Sequence, residues 1–483
     1  MSTHHPLAAH PAAHDVGGGP SRGNSRGRLI LLLVSLAQFM LIIDVTVVQV
    51  ALPTIGARLH LGRLTLTWVI TTYTLLFGGL MILGGRLADA LGARRMLLIG
   101  LSIFVLASLV SGLAWSGAVL IAGRAGQGIG AALLSPAALS TITTTFQGAE
   151  RHRALGLWAA IGGVGAAAGV LLGGILTAGL SWHWIFLINV PVGLLLAIAV
   201  PLTIPADRPR TARAVDLPGA LIAVVSTALI IFGVVRAGDS GWGSAGSLIP
   251  LAVGIVGYAA FVLVERRVRV PLIPTGLLRS RPVISGSFLM IIASGLMLAL
   301  LFLNSLYLQT ILGLGPIRTG LLFFPVAVAI TVGARLGGGL IGRLGGRPVG
   351  AAGLLLTGIG AGLLTRISTH ADAYPILLLG FLIAALGIGP VFVVATSTTL
   401  ANVAHPLAGV TSGVINTFHE IGGAVGVAVV STVAAGSIAS DTVSVTGFAT
   451  AFIVCAATGL LGSVIALGLV PKGKPTGMVG HGH

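Results

Sequence analysis

Residues 85–95 read GRLADALGARR, a short polar stretch between two long apolar runs. Hydrophobic residues make up 55% of the 483-residue chain and charged residues 8%, whereas a typical soluble domain is about 25% charged. A soluble fold could not bury this much apolar surface. The runs on either side are therefore predicted to cross a bilayer, and residues 85–95 to connect two crossings at its surface.

Fourteen apolar segments are long enough to cross a hydrocarbon core of roughly 30 Å as helices. The predicted spans are 29–51, 66–86, 96–114, 118–141, 154–178, 184–204, 217–235, 247–265, 283–311, 317–342, 348–368, 374–400, 407–433 and 446–470. Most of the 27 Lys and Arg residues fall on one side if the N-terminus is cytoplasmic. The positive-inside rule then predicts an all-α membrane protein with both termini in the cytoplasm.

Four stretches carry a resemblance to a known family. Residues 85–95 closely resemble the signature loop of the major facilitator superfamily. Residues 44–53 (DVTVVQVALP), 124–128 (RAGQG) and 182–191 (WHWIFLINVP) resemble the fourteen-helix drug:proton antiporters of that superfamily. The resemblance implies the major facilitator fold, with two six-helix bundles and an inserted helix pair.

The loop at residues 85–95 makes physical sense as a conformational latch. Asp89, flanked by Gly85 and Gly92, can pair with Arg94 or Arg95, or lie at the positive N-terminus of a neighbouring helix. Simple positive-inside anchoring accounts for the two arginines equally well. Residues 339–347 (GLIGRLGGR) look like a degraded copy of the loop in which Arg343 replaces the acid, as the two parallel halves of such transporters would imply.

This repeat divides the chain into five parts. A disordered cytoplasmic tail (1–28) precedes the first six-helix bundle (29–204). A linker with two extra membrane helices (205–282) leads to the second bundle (283–470), and a short cytoplasmic tail (471–483) follows. Polar, proline-containing segments flank the inserted pair, which is predicted to be peripheral to transport.

Among the 11 Asp and Glu residues, only Asp44 and Glu420 fall well inside apolar segments, where an ionised side chain is most costly. Asp44 and Arg124 each lie about seven residues, or roughly 10 Å, from the same end of their helices, so an ion pair is possible. A neighbouring cation favours the ionised acid and apolar burial favours the neutral one. Separation of the pair could therefore drive proton uptake. The alternative is a permanent pair that only fixes helix register.

Ser412, Asn416, His419 and Glu420 are predicted to form one polar stripe on the thirteenth span. The family commonly has a basic residue followed by glutamine at this place, so Glu420 is a departure. It could bind a cationic substrate, carry a second proton, or form hydrogen bonds while neutral. Arg335 in the tenth span has no evident acidic partner except Glu420, which makes that pairing a further prediction.

Other polar residues within the spans are predicted to line a substrate cavity. On the first span, one face of the helical wheel carries Ser35, Gln38, Thr46 and Gln49, whereas Asp44 points away from it. Asn304 and Tyr307, three residues apart on the ninth span, are a second candidate pair. The predicted cavity residues are Gln38, Gln49, Asn304, Tyr307, Asn416, His419 and Glu420.

Glycines on the fifth span are predicted to form a packing ridge. Gly165, Gly169 and Gly173 are four residues apart and share a face, and Gly174 follows them. The ridge resembles the superfamily's antiporter signature, except that Val170 occupies the place of a proline. Small-residue packing alone also explains the pattern.

Several other chemistries are disfavoured. The single cysteine, Cys455, excludes an intramolecular disulfide, and its apolar setting indicates an inert thiol. Residues 468–475 nearly spell a phosphate-binding loop but have proline at the hydroxyl position. Histidines of the N-terminal tail have no regular metal-ligand spacing. We expect no enzyme activity, no metal, no cofactor and no nucleic-acid partner.

The sequence therefore predicts a proton-driven exporter of amphipathic or cationic small molecules, monomeric and residing in a bacterial cytoplasmic membrane. The bacterial source is indicated by glycine and alanine richness with arginine far exceeding lysine. A symporter that imports a nutrient would use the same fold, and net flux direction separates the two. A membrane receptor or scaffold is a third alternative, although the chain offers no sizeable soluble domain to report binding.

Overall fold

The computed structural model describes residues 22–146, 148–206, 216–268, 271, 276, 279–367, 374–400, 408–435 and 445–472. The regular structure in these ranges is helical. The helices are α1 (Arg22–Leu59), α2 (Arg63–Leu91), α3 (Ala93–Gly112), α4 (Gly117–Thr145), α5 (Gly148–Gly179), α6 (Trp184–Leu187 and Asn189–Thr203, meeting at Ile188), α7 (Leu217–Ser240), α8 (Ala245–Glu265), α9 (Arg281–Leu306, continued by a π turn Tyr307–Ile311), α10 (Pro316–Leu344), α11 (Gly346–Leu363), α12 (Tyr374–Leu400), α13 (Ala408–Val433) and α14 (Thr446–Leu469).

Thirteen helices in the described ranges are long and apolar enough to cross a membrane, and α5 contains a shorter apolar segment, Ala168–Gly179. The predicted all-α membrane fold is confirmed. Helix α1 is longer than its predicted span of 29–51, because the helical backbone continues beyond the apolar run at both ends. The predicted disordered tail lies mostly outside the described residues, as does nearly all of the C-terminal tail.

Two sets of six helices repeat the same packing. In the first set, α1 packs on α5, α4 packs on α2 and α3, and α3 packs on α6. In the second set, α9 packs on α13, α12 packs on α10 and α11, and α11 packs on α14. Each contact of the first set thus recurs eight helices later, which is the pattern of a parallel repeat. The residue boundaries proposed between the parts stay predictions.

The two sets meet along two seams, α2 against α13 and α5 against α10. Glycines bring the helices together at both. A Cβ on Gly78 of α2 would overlap the Cβ of Glu420 on α13, and one on Gly174 of α5 would stand 2.7 Å from the carbonyl oxygen of Pro316 on α10. Such close approach is the usual role of small residues between membrane helices.

The inserted helix α7 lies across the α2–α13 seam. It packs on both helices as well as on α8. The buried guanidinium of Arg63 on α2 donates to the carbonyl oxygens of Val235 on α7 (3.1 Å) and Ser431 on α13 (3.4 Å). Thr432 donates to the carbonyl oxygen of Val234 at 2.9 Å. Helix α7 is therefore bound to both halves. That the inserted pair is peripheral to transport stays a prediction.

Candidate functional site

Asp44 lies at the centre of a buried polar network. Its side chain is 0% exposed. The carboxylate accepts hydrogen bonds from Arg124 Nη1 at 2.5 Å, Gln127 Nε2 at 2.8 Å and Asn189 Nδ2 at 2.9 Å. The ion pair that the sequence made possible is thus present, and it joins α1, α4 and α6 within one half of the protein.

Arg124 is equally enclosed. Its Nε donates to the carbonyl oxygen of Val69 at 3.0 Å, and its Nη1 also reaches Gln127 Oε1 at 2.9 Å. The guanidinium carbon stands 4.2 Å from the centre of the Tyr73 ring, in cation–π geometry. The amide of Gln127 donates on to Ser108 Oγ at 2.9 Å. Removing any one member would therefore leave buried partners unsatisfied.

The three donors define the bonding pattern of the Asp44 carboxylate. A carboxylate that accepts from three donors has the bonding pattern of the ionised form, because a protonated acid must use one oxygen as a donor. Three of the roughly four acceptor positions on the two carboxylate oxygens are thus occupied. The network therefore holds a buried charged pair among the helices of one half.

Sequence reasoning missed Gln127 and Asn189 as members of the site. Both lie inside stretches that resemble the antiporters, and Gln127 follows Arg124 by three residues, which puts them on one helix face. Two serines on α3 were missed as well: Ser108, and Ser111, whose Oγ donates to Gln127 Oε1 at 3.4 Å. Small hydroxyl residues in an apolar helix gave no signal that separates them from ordinary interhelical bonding.

Glu420 lies in the α2–α13 seam. It is 9% exposed and packs against Gly78, as described above. The predicted pairing with Arg335 is wrong, because Arg335 is exposed on α10 and the two side chains form no ion pair. The prediction failed because the position of each residue along its helix indicates its depth in the membrane, but not the direction in which its side chain points.

The residues of the predicted polar stripe on α13 do not all face the same neighbouring helix. The ring of His419 lies 5.3 Å from that of Phe392 on α12, whereas Glu420 faces α2. Asn416 is half-buried, and the side chain of Ser412 lies outside the described residues. His419 and Glu420 are therefore adjacent in sequence but pack against helices of different halves.

The other predicted cavity residues differ in how well their polar atoms are satisfied. Gln38 accepts from Ser135 Oγ at 3.1 Å. Gln49 is 1% exposed with neither amide atom bonded, and Asn304 is fully buried with its Oδ1 unbonded. Tyr307 is buried with its ring 6.0 Å from that of Phe448. The amides of Gln49 and Asn304 thus keep unused hydrogen-bonding capacity.

The glycine ridge of α5 packs on two helices. A Cβ on Gly165 would stand 3.1 Å from Ile42, and one on Gly173 would stand 2.9 Å from the carbonyl oxygen of Val47, both on α1. Gly169 approaches α1 between them. Gly174 faces α10, across the second seam. The ridge therefore holds the helix that carries Asp44 and also joins the two halves.

The loop between α2 and α3 turns at Gly92. This residue has φ 102°, which side chains rarely tolerate, and its amide donates to the carbonyl oxygen of Ala88 at 3.0 Å. Asp89 and Arg95 are exposed, Arg94 is half-buried, and a Cβ on Gly85 would make only ordinary contact with Pro136. Gly92 is required by the turn, whereas Gly85 is not. The latch role of this loop stays a prediction.

The second loop has the same turn and corrects the alignment of the repeat. Gly345, between α10 and α11, has φ 85° and matches Gly92. Counting back three residues from each glycine places Gly342 opposite Asp89, so Arg343 corresponds to Ala90. The sequence comparison that set Arg343 in place of the acid was therefore one residue out of register.

Gly92→Ala is expected to destabilise the protein by about 1–3 kcal/mol, because alanine would be strained at this φ. Gly62→Ala is the matched control at the other end of α2, since Gly62 has φ −73° and open space around it. Thermal unfolding of the two purified variants measures the difference. Equal melting temperatures would show that the turn at Gly92 relaxes without strain.

The described residues hold no group of three or more His, Cys, Asp or Glu side chains that could bind a metal ion. Cys455 is buried in the second half.

Within the described ranges, fourteen helices form two repeated sets and an inserted pair, with two glycine-lined seams and a buried ion pair. This arrangement defines a multi-pass membrane protein built as a carrier. The chain belongs to the Major Facilitator Superfamily, whose sequence profile matches residues 34–427. The predicted family is confirmed.

Curated relatives of the chain include antibiotic resistance and export proteins. The puromycin resistance protein of Streptomyces alboniger is 41% identical over 85% of this chain and 82% of its own length. The cephamycin export protein of Amycolatopsis lactamdurans is 39% identical over 86% of both chains. The solved structure of a peptide transporter, POT, has a TM-score of 0.64 at 17% identity and covers 91% of this chain and 94% of the POT chain. That similarity shows the fold.

Proposed function

We propose that the protein exports amphipathic or cationic drugs or antibiotics across a bacterial cytoplasmic membrane in exchange for protons. The relatives named for puromycin resistance and cephamycin export support the efflux direction. The Lys and Arg distribution supports cytoplasmic termini. The gradient of protons is the energy source in this proposal, with no cofactor and with a single chain as the working unit.

The observation that carries proton coupling is the closed network around Asp44. Its donors come from α4 and α6, while Asp44 is on α1. A movement of α1 relative to α4 and α6 within this half would separate Asp44 from its donors and leave an oxygen free for a proton. Reformation of the Arg124 bond would expel that proton. Each cycle of movement would then carry a proton inward.

The polar residues between the halves supply the binding chemistry of the proposed cavity. Glu420 offers a carboxyl group to a cationic substrate at the α2–α13 seam. The unbonded amide atoms of Gln49 and Asn304 offer donors and acceptors, and the surrounding apolar residues suit the body of an amphipathic molecule.

Inverted membrane vesicles with an acidic lumen test the proposal. Cationic and neutral compounds, puromycin among them, are added outside, and proton release from the lumen is followed with a pH-sensitive dye. We expect release with at least one compound in vesicles that contain the protein and none in vesicles that lack it. Uptake of a nutrient by right-side-out vesicles, with no compound-driven release, would instead support an importer.

A further inference from the structure

Hydrogen bonds tie the α2–α13 seam at the end of the bundle where α2 begins and α13 ends. This end lies outside the cell in the proposed orientation and is the extracellular end of the seam. Thr67 on α2 and Ser431 on α13 share a hydrogen bond of 2.6 Å between their hydroxyl oxygens. The guanidinium of Arg63 also donates to the carbonyl oxygen of Ser431. The two halves are therefore bonded to each other at this end.

Helix α7 is bound at the same place by both halves. Two consecutive carbonyl oxygens near its C-terminus accept hydrogen bonds, that of Val234 from Thr432 on α13 and that of Val235 from Arg63 on α2. Opening of the extracellular end would move α2 away from α13. Helix α7 cannot then keep both bonds, so it must stay with one half and leave the other.

The two bonds that hold α7 differ in strength. Arg63 is a charged donor, and Thr432 is a neutral one. A hydrogen bond from a charged donor is roughly twice as strong as one from a neutral donor. The bond to α2 is therefore the one that α7 is expected to keep.

Apolar packing at the extracellular end favours α2 as well. One apolar cluster joins the three helices next to these bonds. It draws large side chains from α2 and small ones from α13, namely Leu64, Trp68 and Leu75 against Ala424, Val425 and Ala428. The centre of the Trp68 ring lies 6.5 Å from that of Phe232 on α7. Because stabilisation grows with the apolar area that is buried, α2 holds this end of α7 more strongly than α13 does.

A glycine extends the contact between α2 and α7 toward the cytoplasmic end. A Cβ on Gly79 of α2 would stand 2.7 Å from Cγ2 and 3.6 Å from Cβ of Val224 on α7. Val224 and Val235 are eleven residues, or about 16 Å, apart along the axis of α7. Helix α2 therefore contacts α7 over about half the depth of a hydrocarbon core.

We propose that α7 moves with the first half of the protein and parts from α13 when the extracellular end opens. Arg63 then keeps its bond to Val235 and loses its bond to Ser431, and Thr432 loses its bond to Val234. The inserted helix is thus a moving part of the closure through which the exported compound leaves, in contrast to the predicted peripheral role. This inference rests on the proposed function.

A disulfide between α2 and α7 tests the inference, in a chain whose native cysteine is removed by Cys455→Ala. Gly79→Cys combined with Val224→Cys places the two Cβ atoms about 3.6 Å apart, which suits a disulfide. The bond is formed by an oxidant in inverted vesicles, after the protein has folded. We expect the export rate to stay within twofold of that of the reduced protein.

A second disulfide, across the seam, is the matched comparison. Thr67→Cys combined with Ser431→Cys replaces two hydroxyl oxygens that lie 2.6 Å apart with sulfur, and it joins α2 to α13. Oxidation of this pair should lower the export rate at least tenfold, and a reductant should restore it. The four single-cysteine variants are treated with the same oxidant and should keep their export rates.

The outcomes separate the inference from the proposed function. A tenfold loss of export on joining α2 to α7 would show that α7 leaves the first half, and would overturn the inference. Unchanged export on joining α2 to α13 would also overturn it, because the seam would then not open at this end. Absence of export in the wild type would overturn the proposed function instead, and the response of nutrient uptake to the same two disulfides would still decide how α7 moves.

Discussion

Asp44→Asn is expected to abolish compound-driven proton release in inverted vesicles and to lower the free energy of unfolding by about 3–5 kcal/mol. The amide carries no charge to balance Arg124, which is 1% exposed and would remain buried as an unpaired cation. The NH2 of the asparagine amide would also be a further donor in a site where the neighbouring groups already donate. Thermal unfolding in detergent and dye-monitored proton release measure the two effects.

A second acid and a double substitution control this experiment. Glu150, at the start of α5, is exposed, so Glu150→Gln should leave both stability and proton release unchanged. Asp44→Asn combined with Arg124→Gln removes both charges and should recover part of the lost stability but none of the proton release. Proton release at the wild-type rate in Asp44→Asn would show that Asp44 does not carry the coupling and would leave Glu420 as the candidate.

Gly173→Leu is expected to lower transport at least tenfold and to destabilise the protein by about 1–3 kcal/mol. Its Cβ would stand 2.9 Å from the carbonyl oxygen and 3.1 Å from the Cα of Val47. Backbone cannot move aside as a side chain can, so α1 must shift away from α5. Because Val47 lies one turn from Asp44, the shift would disturb the network around the carboxylate.

Gly179→Leu is the matched control for that change. Gly179 ends the same helix, and a Cβ placed on it would have no neighbouring atom within 4 Å. We expect wild-type transport and melting temperature from this variant. Transport by Gly173→Leu at the same rate as Gly179→Leu would show that the α1–α5 contact is looser in the working protein than its geometry indicates.

The helices and the central ion pair were predictable because their signals are strong. Runs of about twenty apolar residues have few alternatives to membrane helices. An acid or a cation within such a run is rare, and helix length sets its depth, which brought Asp44 and Arg124 to the same level. These inferences needed no knowledge of how the helices are arranged around one another.

The other features of the site depended on how the helices pack around one another. Asn189 completes the Asp44 site because α6 packs beside α1, and His419 and Glu420 diverge because α13 lies between α12 and α2. Arg335 faces away from Glu420 for the same reason. The position of α7 could not be predicted either. Arg63 contacts it through a backbone carbonyl oxygen, and because every residue has one, no sequence pattern marks the contact.

The position of α7 also makes the two flanks of the protein unequal toward lipid. At the α2–α13 seam, α7 packs on the outer side of both helices. It places the thickness of one helix, about 10 Å, between the bilayer and the seam. At the α5–α10 seam, Ile175, Ile317 and Leu321 are exposed beside Gly174. A compound dissolved in the acyl chains therefore has a shorter sideways path to a seam on the α5–α10 flank.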